Sequence, residues 1–176
     1  MSHHLTAGGA MIGLLAIVAR LVPWYRQHGR KKGGGKGGEG GKRSFAPLGP
    51  FLWTALEGVL TSLATGGLMG KTAYAISQGS NTLGNKLLSS LAGATGPSVN
   101  RTGIAMLTPG GAVLLVMLLL GCIIWFVKAA WPVRLQMIMG LIAGVTLGPT
   151  AGIAGVAGVI VSPIFNTGGG WLVGSA

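Results

Sequence analysis

Residues 111–127 read GAVLLVMLLLGCIIWFV, an uncharged apolar block that decides the class of this protein. A helix of about 17 to 25 apolar residues is long enough to cross the hydrocarbon core of a bilayer. Lys128 follows directly and ends the block with a charge of the kind that marks a membrane boundary. The block therefore predicts a transmembrane helix.

The composition of the whole chain favours the same class. Of its 176 residues, 49% are hydrophobic, 34 are Gly and only 9% are charged, whereas about a quarter of the residues in a soluble domain are charged. Thirteen Lys and Arg face two acidic residues, which gives a formal net charge of +11. Such a balance indicates anionic partners, either phospholipid headgroups or nucleic acid. The single cysteine, Cys122, excludes a disulfide within the chain.

Two further apolar stretches extend the membrane assignment. Residues 6–25 form a shorter run whose positive charges follow it, which predicts an anchor-like span and not a cleavable signal peptide. Residues 135–165 carry no charge but are too long for one straight span. Because proline removes a backbone donor, we expect a kink at Pro149 with loosely helical structure after it.

The distribution of charge predicts the orientation. The positive-inside rule places both residues 26–43 and the short turn at 128–134 in the cytoplasm. Between them the chain must cross the membrane once before it enters the block at residue 111, and residues 45–70 are the apolar candidate. Four segments with both termini outside satisfy this requirement. The alternative is an interfacial helix within residues 51–69, which would leave one positive turn on the wrong side.

The predicted fold is an all-α integral membrane protein with about four membrane segments, of which three span and one either spans or lies at the interface. Its parts, in order, are an anchor-like span (6–25), a Gly/Lys/Arg segment (26–44), an amphipathic or spanning helix (45–70), a polar external segment with a short helix (71–109), a transmembrane hairpin (110–165) and a short tail (166–176). We expect the location to be the cytoplasmic membrane of a bacterium.

A polar stripe runs along the helix predicted in residues 45–70. Thr54, Glu57, Thr61 and Thr65 are three or four residues apart and share one helical face. A carboxyl within a span is costly and usually faces a water-filled cavity or a helix partner, so the stripe is a candidate pore or intramembrane polar face. The alternative is a helix at the interface that holds Glu57 in water.

Glycines repeat every four residues in the longest apolar stretch, at Gly140, Gly144, Gly148 and Gly152. Four helical steps return nearly to the same face, so these residues predict a groove that lets another helix backbone approach closely. The groove serves either packing within one chain or self-association into a homo-oligomer.

The sequence offers little for catalysis. Residues 65–72, TGGLMGKT, resemble a phosphate-binding loop, but the first required Gly is Thr65 and an apolar helix precedes it where a strand belongs. The chain has no Asp, and Glu39 and Glu57 are its only acids, so paired carboxylates and catalytic triads are excluded. We expect no enzymatic activity, no metal site and no cofactor.

The basic segment, residues 26–43, reads RQHGRKKGGGKGGEGGKR. Its Gly-rich backbone presents charge without fixed geometry and lacks aromatic side chains that would stack on bases. It is therefore either a topology element that also binds anionic lipid or a DNA contact without sequence specificity. The candidate contact residues are Arg26, Arg30, Lys31, Lys32, Lys36, Lys42 and Arg43.

This architecture, an anchor followed by GRKKGGGKGGEGGKR in a small, basic, Gly- and Ala-rich multispan chain, resembles the spread and kil-type transfer proteins of conjugative plasmids from mycelial actinobacteria. The resemblance covers length and character and carries no residue motif. It implies an oligomeric membrane component that acts as a channel, or beside a DNA translocase, while plasmid DNA passes between neighbouring compartments of a mycelium.

Two other classes compete with this interpretation. Phage holins are also small, multispan and oligomeric, but they usually carry their basic cluster at the C-terminus, whereas this chain ends in the uncharged NTGGGWLVGSA. The second class is a membrane scaffold that recruits a soluble partner through the basic segment.

Overall fold

The computed structural model describes residues 5–29, 45–64, 66–94, 96–99, 106–150 and 156–174, and these form an all-α bundle. A short antiparallel ladder pairs β1 (Leu5–Thr6) with β2 (Ser98–Val99), and a 3-10 turn covers Ala46–Leu48. The helices are α1 (Ala7–Gly29), α2 (Gly49–Leu63), α3 (Gly67–Ala92), α4 (Pro109–Lys128), α5 (Trp131–Leu147) and α6 (Val156–Val173).

Threonine hydroxyls define the starts of α1 and α4. The Thr108 hydroxyl accepts a hydrogen bond from the Gly111 N–H at 3.2 Å, and Pro109 occupies the first turn, where a missing N–H costs nothing. The Thr6 hydroxyl accepts from the Gly9 N–H at 3.2 Å in the same way. Both apolar helices therefore begin at a residue that satisfies one of their free backbone donors.

The centre of the bundle is the parallel pair of α2 and α5. Gly140 lies against Phe51, Gly144 against Ala55, and Gly148 against Val59, so the positions advance together along both helices. Only glycine allows this approach, because a Cβ on Gly144 would overlap the Ala55 carbonyl oxygen. The first residues of α2 and α5 consequently lie at the same end of the bundle.

Glycines also mark the other close contacts. On α1, Gly8 meets Gly84 of α3, and Gly13 faces Thr146 at the end of α5. Gly110, at the start of α4, meets Gly169 near the end of α6. The sequence-level expectation of glycine-mediated helix packing thus describes all three contacts.

The described bundle buries several polar side chains within its apolar core and exposes many large apolar side chains. Glu57 is 2% exposed and Thr146 and Ser162 are fully buried, whereas Val18, Leu120 and Ile124 are each more than half exposed. Within the part of the chain that the structure describes, two helices are long and apolar enough to cross a membrane, Ala7–Gln27 and Pro109–Lys128. Both belong to segments from which the sequence predicted spans.

The middle of the chain differs from the expectation. Residues 45–70 hold the 15-residue α2 and the beginning of α3 instead of one long helix. Residues 71–109, expected to be a polar external segment, contribute most of the 26-residue α3. Ser77, Ser80 and Asn81 of this helix are buried. Polar residues of this kind predict solvent exposure, but small polar side chains also fill close helix contacts in a bundle with apolar outer faces.

The last apolar stretch is also divided. Instead of kinking at Pro149, α5 ends at Leu147, and Pro149 lies in a turn closed by a 2.7 Å hydrogen bond from the Thr150 hydroxyl to the Leu147 carbonyl. Residues 151–155 lie outside the described residues. The helix that follows, α6, continues to Val173 and so includes most of the predicted tail.

Candidate functional site

The polar stripe predicted on α2 is present and faces inward. Thr54, Glu57 and Thr61 are each less than 5% exposed and line the same pocket, while Thr65 lies outside the described residues. The Thr54 hydroxyl donates to the Pro50 carbonyl at 2.9 Å, and the Thr61 hydroxyl donates to the Glu57 carbonyl at 2.7 Å. Each hydroxyl proton is therefore bound within α2, and the oxygen lone pairs stay available to the pocket.

Glu57 is buried without full hydrogen bonding. Its Oε1 atom has no hydrogen-bond partner among the residues that the structure describes. The Cys122 thiol of α4 lies beside the carboxyl in the wall of the same pocket. Since an unsatisfied buried polar group costs about 1 to 3 kcal/mol, this oxygen is the feature of the bundle that most needs an explanation.

The pocket beside Glu57 has a volume of about 240 Å³. It lies in the gap between α4 and α5, with α2 at its back and the first turns of α3 at its side. Its mouth is apolar, because Leu68, Ile123 and Ile138 line it and are 76%, 49% and 40% exposed. The remaining lining residues are Thr54, Thr61, Met69, Thr72, Leu119, Cys122, Phe126, Met137 and Leu141.

The chemistry available in this pocket is that of one acid. Glu57 can hold a proton, accept hydrogen bonds or balance a cation, and the threonine oxygens can assist. Within the described residues no group of three His, Cys, Asp or Glu side chains could hold a metal ion.

The predicted glycine groove is occupied by α2 of the same chain. Gly140, Gly144 and Gly148 are buried in that contact, and Gly152 lies outside the described residues. A second copy could reach these glycines only by displacing α2. Self-association stays a prediction, and the surfaces available for it are the exposed apolar faces of α1, α4 and α6.

Of the seven predicted basic contact residues, the structure describes Arg26, which is exposed near the end of α1. The other six lie outside the described residues. The positions that flank the basic segment are in contact: the Trp24 and Phe45 rings stack with centroids 5.3 Å apart, and the Arg20 guanidinium donates to the Pro47 carbonyl at 2.8 Å. The described residues on either side of the basic segment are therefore close together.

The pocket walls contributed by α3, α4 and α5 had no signal in the sequence. Cys122 reads as one more small apolar residue in its block, and only the packing of α4 against α2 brings its thiol to Glu57. Arg134 reads as a topology charge, but its guanidinium donates to the carbonyls of Val127 and Ala129 at 2.8 Å and so caps the end of α4.

The chain matches no protein-family model, no curated protein and no solved structure. The function therefore has to be argued from the bundle and from the charge on the chain.

Proposed function

We propose that this protein is a multi-pass protein of the bacterial cytoplasmic membrane that assists the transfer of plasmid DNA, as an oligomeric channel or beside a DNA translocase. The observation that carries the membrane part is the surface of the bundle, which exposes many large apolar side chains while Glu57 is buried. The DNA part rests on the basic segment and on the resemblance to spread and kil-type transfer proteins.

Lipid explains the exposed surface better than water does. Exposed apolar residues recur along α1, α4 and α6, for example Leu15, Met117 and Ile160, at 48%, 53% and 57% exposure. Contiguous apolar surface of this kind is rare on a soluble monomer and costs about 25 cal/mol per Å² in water. In hydrocarbon the cost disappears, and the buried threonines and serines gain from being kept away from lipid.

The basic segment suits a phosphate-bearing partner. It carries seven positive charges and one negative charge within eighteen residues, and its two flanks meet at the Trp24–Phe45 stack. The two points at which the basic segment joins the described residues are therefore close together. A polyanion that crosses or approaches the membrane there would find several Lys and Arg side chains within reach, without any reading of its sequence.

Direct DNA contact is tested with the detergent-solubilised full chain. We expect it to retard duplexes of unrelated sequence alike, with an affinity that falls steeply as salt rises, because each contact releases counterions. Changing Arg30, Lys31, Lys32 and Lys36 to Gln should weaken binding to all sequences together and flatten the salt dependence. Lys42 and Arg43 are kept, so that the topology signal stays in place.

The matched control changes Lys71 and Lys86, exposed on α3, to Gln, and it should bind DNA like the native chain. The four-residue variant should also reduce plasmid spread between compartments of a mycelium while its membrane level is unchanged. Unchanged spread would contradict the proposal. Release of cytoplasmic enzymes when the native chain is expressed at its normal level, without any plasmid, would favour a holin.

A further inference from the structure

The proposed transfer function makes no use of the pocket beside Glu57. A carboxyl group lies 2% exposed at the back of a cavity, and one of its oxygens has no hydrogen-bond partner among the described residues. Moving such a group out of water without a partner is costly, and a residue of this kind inside a membrane bundle usually meets a partner. Glu57 is also one of the residues that line the pocket.

The side chains that line the pocket indicate what else its ligand must contain. Apart from Glu57, the pocket is lined by apolar side chains, three threonines and Cys122, and its mouth is formed by aliphatic residues. The threonine protons already bond to backbone carbonyls of their own helices. The pocket therefore offers acceptors and no free hydroxyl proton, which selects a ligand with a hydrogen-bond donor.

The volume of the pocket and the apolar residues at its mouth narrow the class of ligand further. A volume of about 240 Å³ equals the liquid volume of about eight waters, which suits a small ring system and excludes a folded partner. A bare metal ion would need several oxygen ligands, but the walls are mostly apolar. The exposed aliphatic mouth at Leu68, Ile123 and Ile138 favours entry from the hydrocarbon phase.

We propose that the pocket between α2, α4 and α5 is a binding site for small hydrophobic amines, with the ammonium group against the Glu57 carboxyl and the apolar body between Phe126 and Leu141. The ammonium donates to the carboxylate, and the body replaces lipid or weakly held water against the aliphatic walls. This proposal is independent of DNA contact and holds whether or not the protein takes part in plasmid transfer.

The test compares two probes of equal size, naphthylmethylamine and naphthylmethanol, by their fluorescence on titration with the purified full chain in detergent. The native protein should bind the amine about tenfold more tightly than the alcohol, because only the amine forms a charge-assisted hydrogen bond. Glu57→Gln should reduce this preference to less than about twofold. Partition into micelles is the same for both proteins and cancels in the comparison.

Two controls separate the pocket from the rest of the chain. Glu39→Gln removes the only other acid and should leave the amine preference unchanged. Leu119→Trp fills the pocket while keeping Glu57, so it should weaken the binding of both probes. Leu118→Trp changes the neighbouring residue, which does not line the pocket, and should leave the binding of both probes unchanged. Folding of each variant is checked by its helical circular dichroism and its elution volume.

The proposal fails if the native chain binds both probes equally, or if the amine preference survives in Glu57→Gln. If that variant does not fold, Leu119→Trp decides: amine binding equal to that of the native chain would place the probe outside the pocket and overturn the assignment.

Discussion

At the scale of single residues, glycines in this chain differ sharply in what surrounds them. A Cβ added to Gly144 would overlap the Ala55 carbonyl oxygen, which is backbone and cannot move aside. A Cβ added to Gly121, on the exposed side of α4, would meet nothing within 4 Å. The two positions therefore form a natural pair of a constrained glycine and a free one within helices of similar composition.

We expect Gly144→Ala to destabilise the protein and Gly121→Ala to leave it unchanged or more stable. The first change forces α2 and α5 apart, and overpacking of this kind costs about 1 to 3 kcal/mol. The second replaces a residue that disfavours helix by about 0.5 to 1 kcal/mol. Thermal unfolding in detergent, followed by circular dichroism, measures both. A Gly144→Ala protein as stable as the native chain would contradict the parallel α2–α5 contact.

The same comparison bears on self-association. Because the glycine stripe is covered by α2, replacing Gly144 and Gly148 with Leu should lower the stability of each chain. Loss of cross-linked multimers in that variant could therefore result from unfolding of the chain, so the unfolding temperature has to be measured alongside the cross-linking. Substitutions on the exposed faces of α1 or α4 would report association directly.

At the scale of helices, α4 depends on a polar cluster at its start. The Asn166 amide of α6 donates to the Met106 carbonyl at 3.2 Å, and its oxygen accepts from the Thr108 N–H at 2.9 Å. The Thr108 hydroxyl bonds to the same oxygen at 3.2 Å while capping α4. One side chain thus holds the start of the most apolar helix against the end of α6.

We expect Thr108→Ala to lower stability by about 1 kcal/mol through loss of the cap, and Thr108→Ser to keep most of the native value because it retains the hydroxyl. Chemical or thermal unfolding of both variants in detergent provides the measurement. Equal destabilisation by Ala and Ser would indicate that the Thr108 methyl group matters and the hydroxyl does not.

The helices also show which features a sequence alone can predict. The helices α1 and α4 were predicted because each covers a long, mostly apolar run, and the Thr54–Glu57–Thr61 face followed from helical spacing alone. The length of α3 was missed because its buried polar residues look like a solvated surface. The pocket was missed because its walls come from four helices, and nothing local to any one of them encodes their meeting.

At the scale of the whole molecule, the parallel packing of α2 and α5 bears on topology. The basic segment precedes α2, and the turn containing Lys128 precedes α5. Both helices start at the same end of the bundle, which is what the positive-inside rule would require of the proposed four-segment arrangement. With 15 residues, α2 is about 22 Å long, so in that arrangement it would need the 3-10 turn before it and local thinning of the bilayer to cross.

We expect a reporter that works only in the cytoplasm to be active when fused after Arg43 or inserted near Trp131, and inactive when fused after Arg101 or Ala176. The measurement is reporter activity normalised to the amount of fusion protein in the membrane. Activity after Arg101 would place α2 on the membrane surface and rule out the four-segment arrangement.

The contact between the flanks of the basic segment has a consequence for how the chain is held together. Trp24 stacks on Phe45 and Arg20 bonds to Pro47, while α1 also packs on α3 and α5 through Gly8 and Gly13. These noncovalent contacts hold α1 against the rest of the bundle independently of the peptide chain that connects α1 to α2. A single proteolytic nick in the basic segment would leave two fragments that stay associated, and a gene split at that point would encode a complementing pair.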